Sequence, residues 1–238
     1  MSKFDAIRPF DETEVNDEIQ TVVHHPMMKA LMNFTFPDVL DDVWKEQLLR
    51  THSIRDFQCN FIYQSVQRVL EKSSDGLTTS GFENLEPNTS YLFISNHRDI
   101  LLDTTLLNTA LCEHNLTMTA SAIGDNLVKM PFLNTLAKLN RNFLVQRGLA
   151  PREMLQSSKL LSEYIGQLLL HENRSVWIAQ REGRTKDGKD ETNPGILKML
   201  GMGSDEKNLM DYFKKIKIVP VSISYEYDPT DALKMPQL

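Results

Sequence analysis

YLFISNHRDILLDTTLLNTAL, residues 91–111, is the stretch on which the reading of this chain turns. Tyr91 to Ser95 form a short, largely apolar run, and Ile100 to Leu111 carry apolar residues at helical spacing, so the segment predicts a strand, a tight polar turn and a helix. His97 falls where the strand ends. In α/β sheets the carboxyl ends of strands and the N-termini of helices form the ligand crevice, because unpaired backbone N–H groups there point at whatever is bound. An imidazole titrating near neutrality suits the role of general base toward a hydroxyl, and a neighbouring carboxylate would fix its tautomer. Asp99 and Asp103 are both available. Alone, a His beside an Asp in such a turn is more often a cap or a satisfied polar pair, so the flanking segments must decide.

Downstream, short β-rich runs alternate with helical stretches. Met118 to Ala122, Phe143 to Gln146, Ser175 to Gln180 and Ile216 to Tyr225 are the further strand candidates. Pro151 opens a helix at the first-turn position that tolerates proline, with Met154, Leu155, Leu161, Ile165, Leu168 and Leu169 as its apolar stripe. This alternation predicts an α/β fold, a mostly parallel mixed sheet flanked by helices. Upstream, from Val39 to Leu70, Ile54, Phe57, Phe61, Ile62, Val66, Val69 and Leu70 keep a helical period. Residues 1–72 therefore read as an N-terminal helical annex, 73–90 as a Ser-, Gly- and Asn-rich linker, and 91–238 as the α/β domain. The chain stops thirteen residues beyond Tyr225, the end of the last strand candidate, at Met235-Pro236-Gln237-Leu238, which reads as a C-terminally shortened domain.

Two further strands end in arginines. NFLVQ delivers Arg147, and SVWIAQ delivers Arg181-Glu182-Gly183-Arg184-Thr185. If the strands are parallel, these groups reach the same sheet edge as His97. A guanidinium offers a planar fork of donors matched to phosphate oxygens, and Gly183 lets backbone approach a ligand closely. The ordinary alternative is that each arginine is solvated or paired with a nearby acid.

Composition narrows the choices. The chain has 238 residues, 41% hydrophobic, which is enough for a substantial core. Its two cysteines, Cys59 and Cys112, lie far apart, and His24, His25, His52, His114 and His171 have no ligand-like spacing, so these histidines read as surface or capping groups. The net charge is −6, but residues 91–200 hold 13 bases against 11 acids, whereas residues 1–90 hold 8 against 15. A slightly basic middle hints at an anionic ligand and argues against a nucleic-acid partner. No dinucleotide or P-loop glycine pattern occurs, GRTKDGKD included. No uncharged apolar run reaches spanning length, and the charged N-terminus lacks a signal-peptide core, so a cytoplasmic protein touching membranes only peripherally is expected. Residues 127–140, LVKMPFLNTLAKLN, and the Met-rich stretch from Pro26 to Met32 could touch lipid, although ordinary core packing accounts for both.

Taken together, four segments resemble the motif blocks of the glycerol-3-phosphate and lysophosphatidate acyltransferase family. Asn96-His97 through Asp103 resembles the first, Phe143 to Arg147 the second, Glu182-Gly183-Arg184-Thr185 the third, and Val219-Pro220-Val221 with Ser222, Ile223, Ser224 and Tyr225 the fourth. The likeness covers roughly residues 90 to 228 in the family's order, and residues 1–72 add nothing to it. It implies acyl transfer from acyl-CoA or an acyl carrier protein to a hydroxyl of glycerol-3-phosphate or a lysophospholipid, with no cofactor beyond that thioester co-substrate. It implies a His97–Asp103 dyad as general base and a phosphate-binding role for Arg147. Arg184 and Arg98 become further clamp candidates, Gly183 lines the acceptor site, and Glu182 hydrogen-bonds glycerol or an arginine. A peripheral position on the inner face of the membrane follows.

One departure stands out. The family places four residues between the His and the Asp, whereas five, Arg98 to Leu102, separate His97 from Asp103. One extra residue rotates a helix position by about 100°. A local bulge at the helix start would absorb it, and Asp103 is preferred over Asp99, which lies only two residues from His97. The irregular spacing keeps open a non-catalytic lipid- or phosphate-binding module on the same scaffold, and a thioester hydrolase in which His97 activates water.

Overall fold

A computed structural model describes residues 2–206 and 208–235; Pro236-Gln237-Leu238, read above as the end of a shortened domain, lies outside them. The chain divides into two compact units. One is built from residues 1–82 and 123–144, the other from 83–122 and 145–238.

The first unit holds helices α1 (Val15–Val22), α2 (Pro26–Thr35), α3 (Asp41–Leu49), α4 (Ile54–Phe57) and α5 (Tyr63–Ser73), with a π-helical turn at Gln58–Ile62. It also holds α7 (Pro131–Leu139). Proline at the first turn opens α2, where the His25 imidazole caps by accepting from the Met27 N–H at 3.2 Å. Apolar faces turn inward: Val15, Ile19, Met28, Met32, Trp44, Leu48, Phe57, Phe61, Phe132 and Leu139 form one core. Full burial of a side chain of this size is worth about 1.5–3 kcal/mol. The 127–140 stretch thus contributes Phe132 and Leu139 to this core, and Met130 stays half exposed. The annex expected at 1–72 is joined in its unit by 123–144, a segment that sequence order separates from it.

The sheet comprises β1 (Leu92–Ser95), β2 (Thr119–Gly124), β3 (Asn142–Val145), β4 (Ser175–Ala179) and β5 (Ile218–Val221), in the order β3-β2-β4-β1-β5. β1 pairs in parallel with β4 and β5, and β2 in parallel with β4. All five expected strands are present. Central β1 and β4 are buried almost throughout, as strands covered on both faces must be, and so read as continuous apolar runs. β5 is an edge strand with one face open, which is where Pro220 can sit without breaking a ladder.

In the second unit the helices are α6 (Leu102–Glu113), α8 (Pro151–Leu170), α9 (Pro194–Leu200), α10 (Leu209–Phe213) and α11 (Asp231–Lys234). α8 starts at Pro151 as expected and buries Leu161, Ile165, Leu168 and Leu169. Met154 and Leu155, assigned above to that stripe, are instead 55% and 60% exposed, on the opening turns of α8 where residues 151–156 are all exposed. Among the described residues no helix is long and apolar enough to cross a membrane.

Candidate active site

The register of the sheet fixes where the chemistry-bearing segments begin. Ser95 lies beside Ala179 of β4 and Val221 of β5, so the chain leaves all three parallel strands at one edge. From β1 it continues into Asn96-His97-Arg98-Asp99, from β4 into residues 180–185, and from β5 into Ser222 to Tyr225.

His97 and Asp103 meet. The imidazole Nδ1 lies 2.8 Å from Asp103 Oδ2. A carboxylate only accepts, so Nδ1 carries the proton, and in the neutral imidazole the lone pair is then on Nε2. Asp103 is fully buried, a position that costs several kcal/mol unless its oxygens are satisfied. They are: Oδ2 also accepts from the backbone N–H of Arg98 at 2.7 Å and of Asp99 at 3.1 Å, and Oδ1 accepts from the Tyr225 hydroxyl at 2.9 Å. Burial, and the negative Asp103 beside it, hold the Tyr225 phenol far above its usual titration range, so it remains a donor.

The extra residue of the spacing is absorbed in the loop. The chain turns at Ile100 and Leu101 before α6 begins, and Asp99 Oδ1 accepts from the N–H groups of Leu101 at 2.9 Å and Leu102 at 3.0 Å. Asp99 therefore braces the turn that leads into α6 while Asp103 faces the imidazole. The misdirected carboxylate that motivated a non-catalytic reading does not occur.

Several supports surround the histidine. The Trp177 ring meets it edge-on at 5.6 Å between centroids, and the indole N–H donates to Ser95 Oγ at 2.9 Å. The His97 carbonyl accepts from the Thr185 N–H at 2.8 Å. Asn96 clasps the fourth segment, donating to the Ile223 carbonyl and accepting from its N–H, both at 2.8 Å. Asp190 gathers Arg98 at 2.5 Å, Thr185 Oγ1 at 2.8 Å and Asn96 Nδ2 at 3.3 Å.

The three arginines differ. Arg147 pairs with Glu182, both well exposed to solvent. Arg98 is held by the partly buried Asp190. Arg184 donates to Thr230 Oγ1 at 3.2 Å and forms no ion pair among the described residues. Gly183 adopts a φ of +70°, the left-handed region that favours glycine, and turns the chain between Glu182 and Arg184. Glu182 and Gly183 are exposed at this edge.

Sequence reasoning gave no individual role to Tyr225, Thr185 or Asn96, although all three lie inside the quoted blocks. It passed over Asp190, whose only signal was a place in a charged loop. Among the described residues no cluster of three His, Cys, Asp or Glu side chains is placed to hold a metal ion.

Comparison with curated proteins gives no match. Among solved structures, the chain is similar to the 1-acyl-sn-glycerophosphate (LPA) acyltransferase PlsC of Thermotoga maritima, at 12% identity and a TM-score of 0.41, over 94% of this chain and 89% of that one. A family model described as Acyltransferase matches residues 76–224, well over half of the chain and a span that includes His97, Asp103, Arg147, Glu182, Gly183 and Arg184. The chain belongs to the acyltransferase family.

Proposed function

We propose that this protein moves a fatty acyl group from a thioester, acyl-CoA or acyl carrier protein, to a hydroxyl of glycerol-3-phosphate or a lysophospholipid, with His97 as general base and Asp103 as its partner. The observation that carries this reading is the 2.8 Å contact between His97 Nδ1 and a fully buried, fully hydrogen-bonded Asp103. Nε2 takes the acceptor's hydroxyl proton as the oxygen attacks the thioester carbonyl, and Asp103 stabilises the imidazolium. Collapse of the tetrahedral adduct breaks the C–S bond, and the proton passes to the departing thiolate. General-base help of this kind is worth about 10²–10⁴-fold, and positioning of the acceptor supplies more.

Arg184, which meets no carboxylate among the described residues, is the first phosphate ligand we assign. Arg147 is the second. Its exposed pair with Glu182 is of a kind worth about 0–1 kcal/mol, so an incoming phosphate displaces the carboxylate at little cost and frees Glu182 to bond glycerol. Arg98 is a third candidate that must first release Asp190. Gly183 gives the loop its close approach. The thioester is the co-substrate, and the reaction draws on no other cofactor. A lysophospholipid acceptor would bring the protein to the inner face of the membrane as a peripheral enzyme, and Leu101, 68% exposed beside the His97 turn, is an apolar contact suited to that surface.

A matrix of donors and acceptors tests the reading. Free thiol should appear from long-chain acyl-CoA or acyl carrier protein only when a glycerophosphate acceptor is supplied, and His97→Ala should abolish it. Thiol release without acceptor would point to hydrolysis instead, and phospholipid binding without any transfer would point to a binding module.

A further inference from the structure

Asp103 receives its hydrogen bonds unevenly. Oδ2 takes three donors: His97 Nδ1 and the N–H groups of Arg98 and Asp99. Oδ1 takes one among the described residues, the Tyr225 hydroxyl at 2.9 Å. The carboxylate is fully buried, so water has no ready access to replace that donor. Tyr225 belongs to the segment beyond β5, which Asn96 pins to the His97 turn through Ile223. The phenol is thereby delivered to Asp103 from across the sheet edge.

We propose that Tyr225 is a positioning residue for the acyl transfer described above: its hydroxyl holds the plane of Asp103 and sets how strongly that carboxylate supports a protonated His97. The inference rests on the acyl-transfer reading and adds a control on its base. The physics is a competition for one negative charge. Each hydrogen bond to Asp103 draws charge away from Oδ2, so a donor on Oδ1 makes the carboxylate a weaker partner for the imidazolium but a better oriented one. The phenol keeps its proton because burial and the adjacent Asp103, then Asp99 and Asp228, disfavour the phenolate.

Other charged groups near this pair come from every neighbouring segment. Arg98 and Asp99 lie on the His97 turn, Asp190 and Arg184 follow β4, and Asp228 follows β5. Arg98 is neutralised by Asp190, and Arg184 reaches Thr230, whose hydroxyl lies 3.4 Å from Asp99. None of them bonds to Oδ1.

Two variants of the full chain, assayed with acyl-CoA and a lysophosphatidate acceptor, read the effect. Tyr225→Phe keeps the ring and removes the donor. Its kcat/KM should fall by about tenfold, as expected when a buried acceptor is left unsatisfied. The loss should sit in kcat with the acceptor KM unchanged, since the phenol touches Asp103 and not the acceptor. The acid limb of its pH profile should move to higher pH, because the less neutralised Asp103 favours imidazolium. Replacing Tyr225 with 3-fluorotyrosine, a more acidic phenol of nearly the same size, should move that limb to lower pH; it carries the test alone if Tyr225→Phe fails to fold. A His97-dependent transfer whose acid limb does not move in the folded variants overturns the role of Tyr225 and leaves the acyl-transfer reading intact. Full activity in His97→Ala overturns both.

Discussion

The two aspartates that competed for His97 differ in what they bond. Asp103 faces the imidazole, and Asp99 spends Oδ1 on the N–H groups of Leu101 and Leu102. An asparagine side-chain oxygen can accept the same two N–H bonds. Asp99→Asn should therefore keep near wild-type stability and activity, whereas Asp103→Asn, which offers an amide that favours the wrong tautomer of His97, should lower kcat by about 10³–10⁴-fold. Steady-state kinetics and melting curves on the two variants measure this contrast; equal losses would refute the assignment. Arg184 gives a second contrast. If its fork receives phosphate, Arg184→Lys should raise the acceptor KM nearly as much as Arg184→Ala, because an ammonium cannot reproduce bidentate geometry, and kcat should fall less. At this scale the sequence made His97, Asp103 and the arginines visible as residue types at strand ends. It could not show which carboxylate each arginine had already met: Arg147 finds Glu182, 35 residues away, and Arg98 finds Asp190, 92 residues away.

Loops and helix contacts decide whether those residues keep their aim. Gly183 stands in the left-handed region with nothing within 4 Å of where a Cβ would be, so Gly183→Ala meets conformational strain and no clash. Such strain costs about 1–2 kcal/mol. The loop can relieve it by swinging Arg184, so the variant should show a modest drop in melting temperature together with a raised acceptor KM. Gly203 is the opposite case. A Cβ there would come within 2.5 Å of the Glu163 backbone nitrogen in α8, where Ser162 Oγ accepts from the Gly203 N–H at 2.9 Å and donates to the Leu200 carbonyl at 2.7 Å. Gly203→Ala must push the α9 connection off α8 and should cost about 1–3 kcal/mol or more, read by denaturant unfolding. The strands themselves were legible because β1 and β4 are buried on both faces, which forces an unbroken apolar run. β5 was read too long, through Tyr225, because after Val221 the chain's partners change from the β1 ladder to the side chains of Asn96 and Asp103. Apolar content alone cannot report that change of partner.

The division of the whole chain was the least legible feature, and it bears on a last test. Helical spacing from Phe132 to Leu139 shows that α7 has an apolar face, but periodicity is silent about which core that face enters, and the core it enters is built from helices that precede residue 83. Every candidate site residue lies in the other unit, the one made of 83–122 and 145–238. The two tryptophans of the chain divide the same way: Trp44 is buried in the helical core, and Trp177 sits against His97. Labelling with 5-fluorotryptophan therefore gives one ¹⁹F signal from each unit. Phe57 is fully buried in the helical core, and Phe57→Ala removes a large side chain there at a cost of about 3–5 kcal/mol. The Trp44 signal should lose its folded shift at markedly lower denaturant, while kcat measured well below that transition should stay near the wild-type value, because the truncated side chain supplies nothing to His97, Asp103 or the arginines. A fall in kcat with both folded ¹⁹F signals intact would mean that the helical core tunes the site directly, and the chemistry could no longer be ascribed to one unit's residues alone.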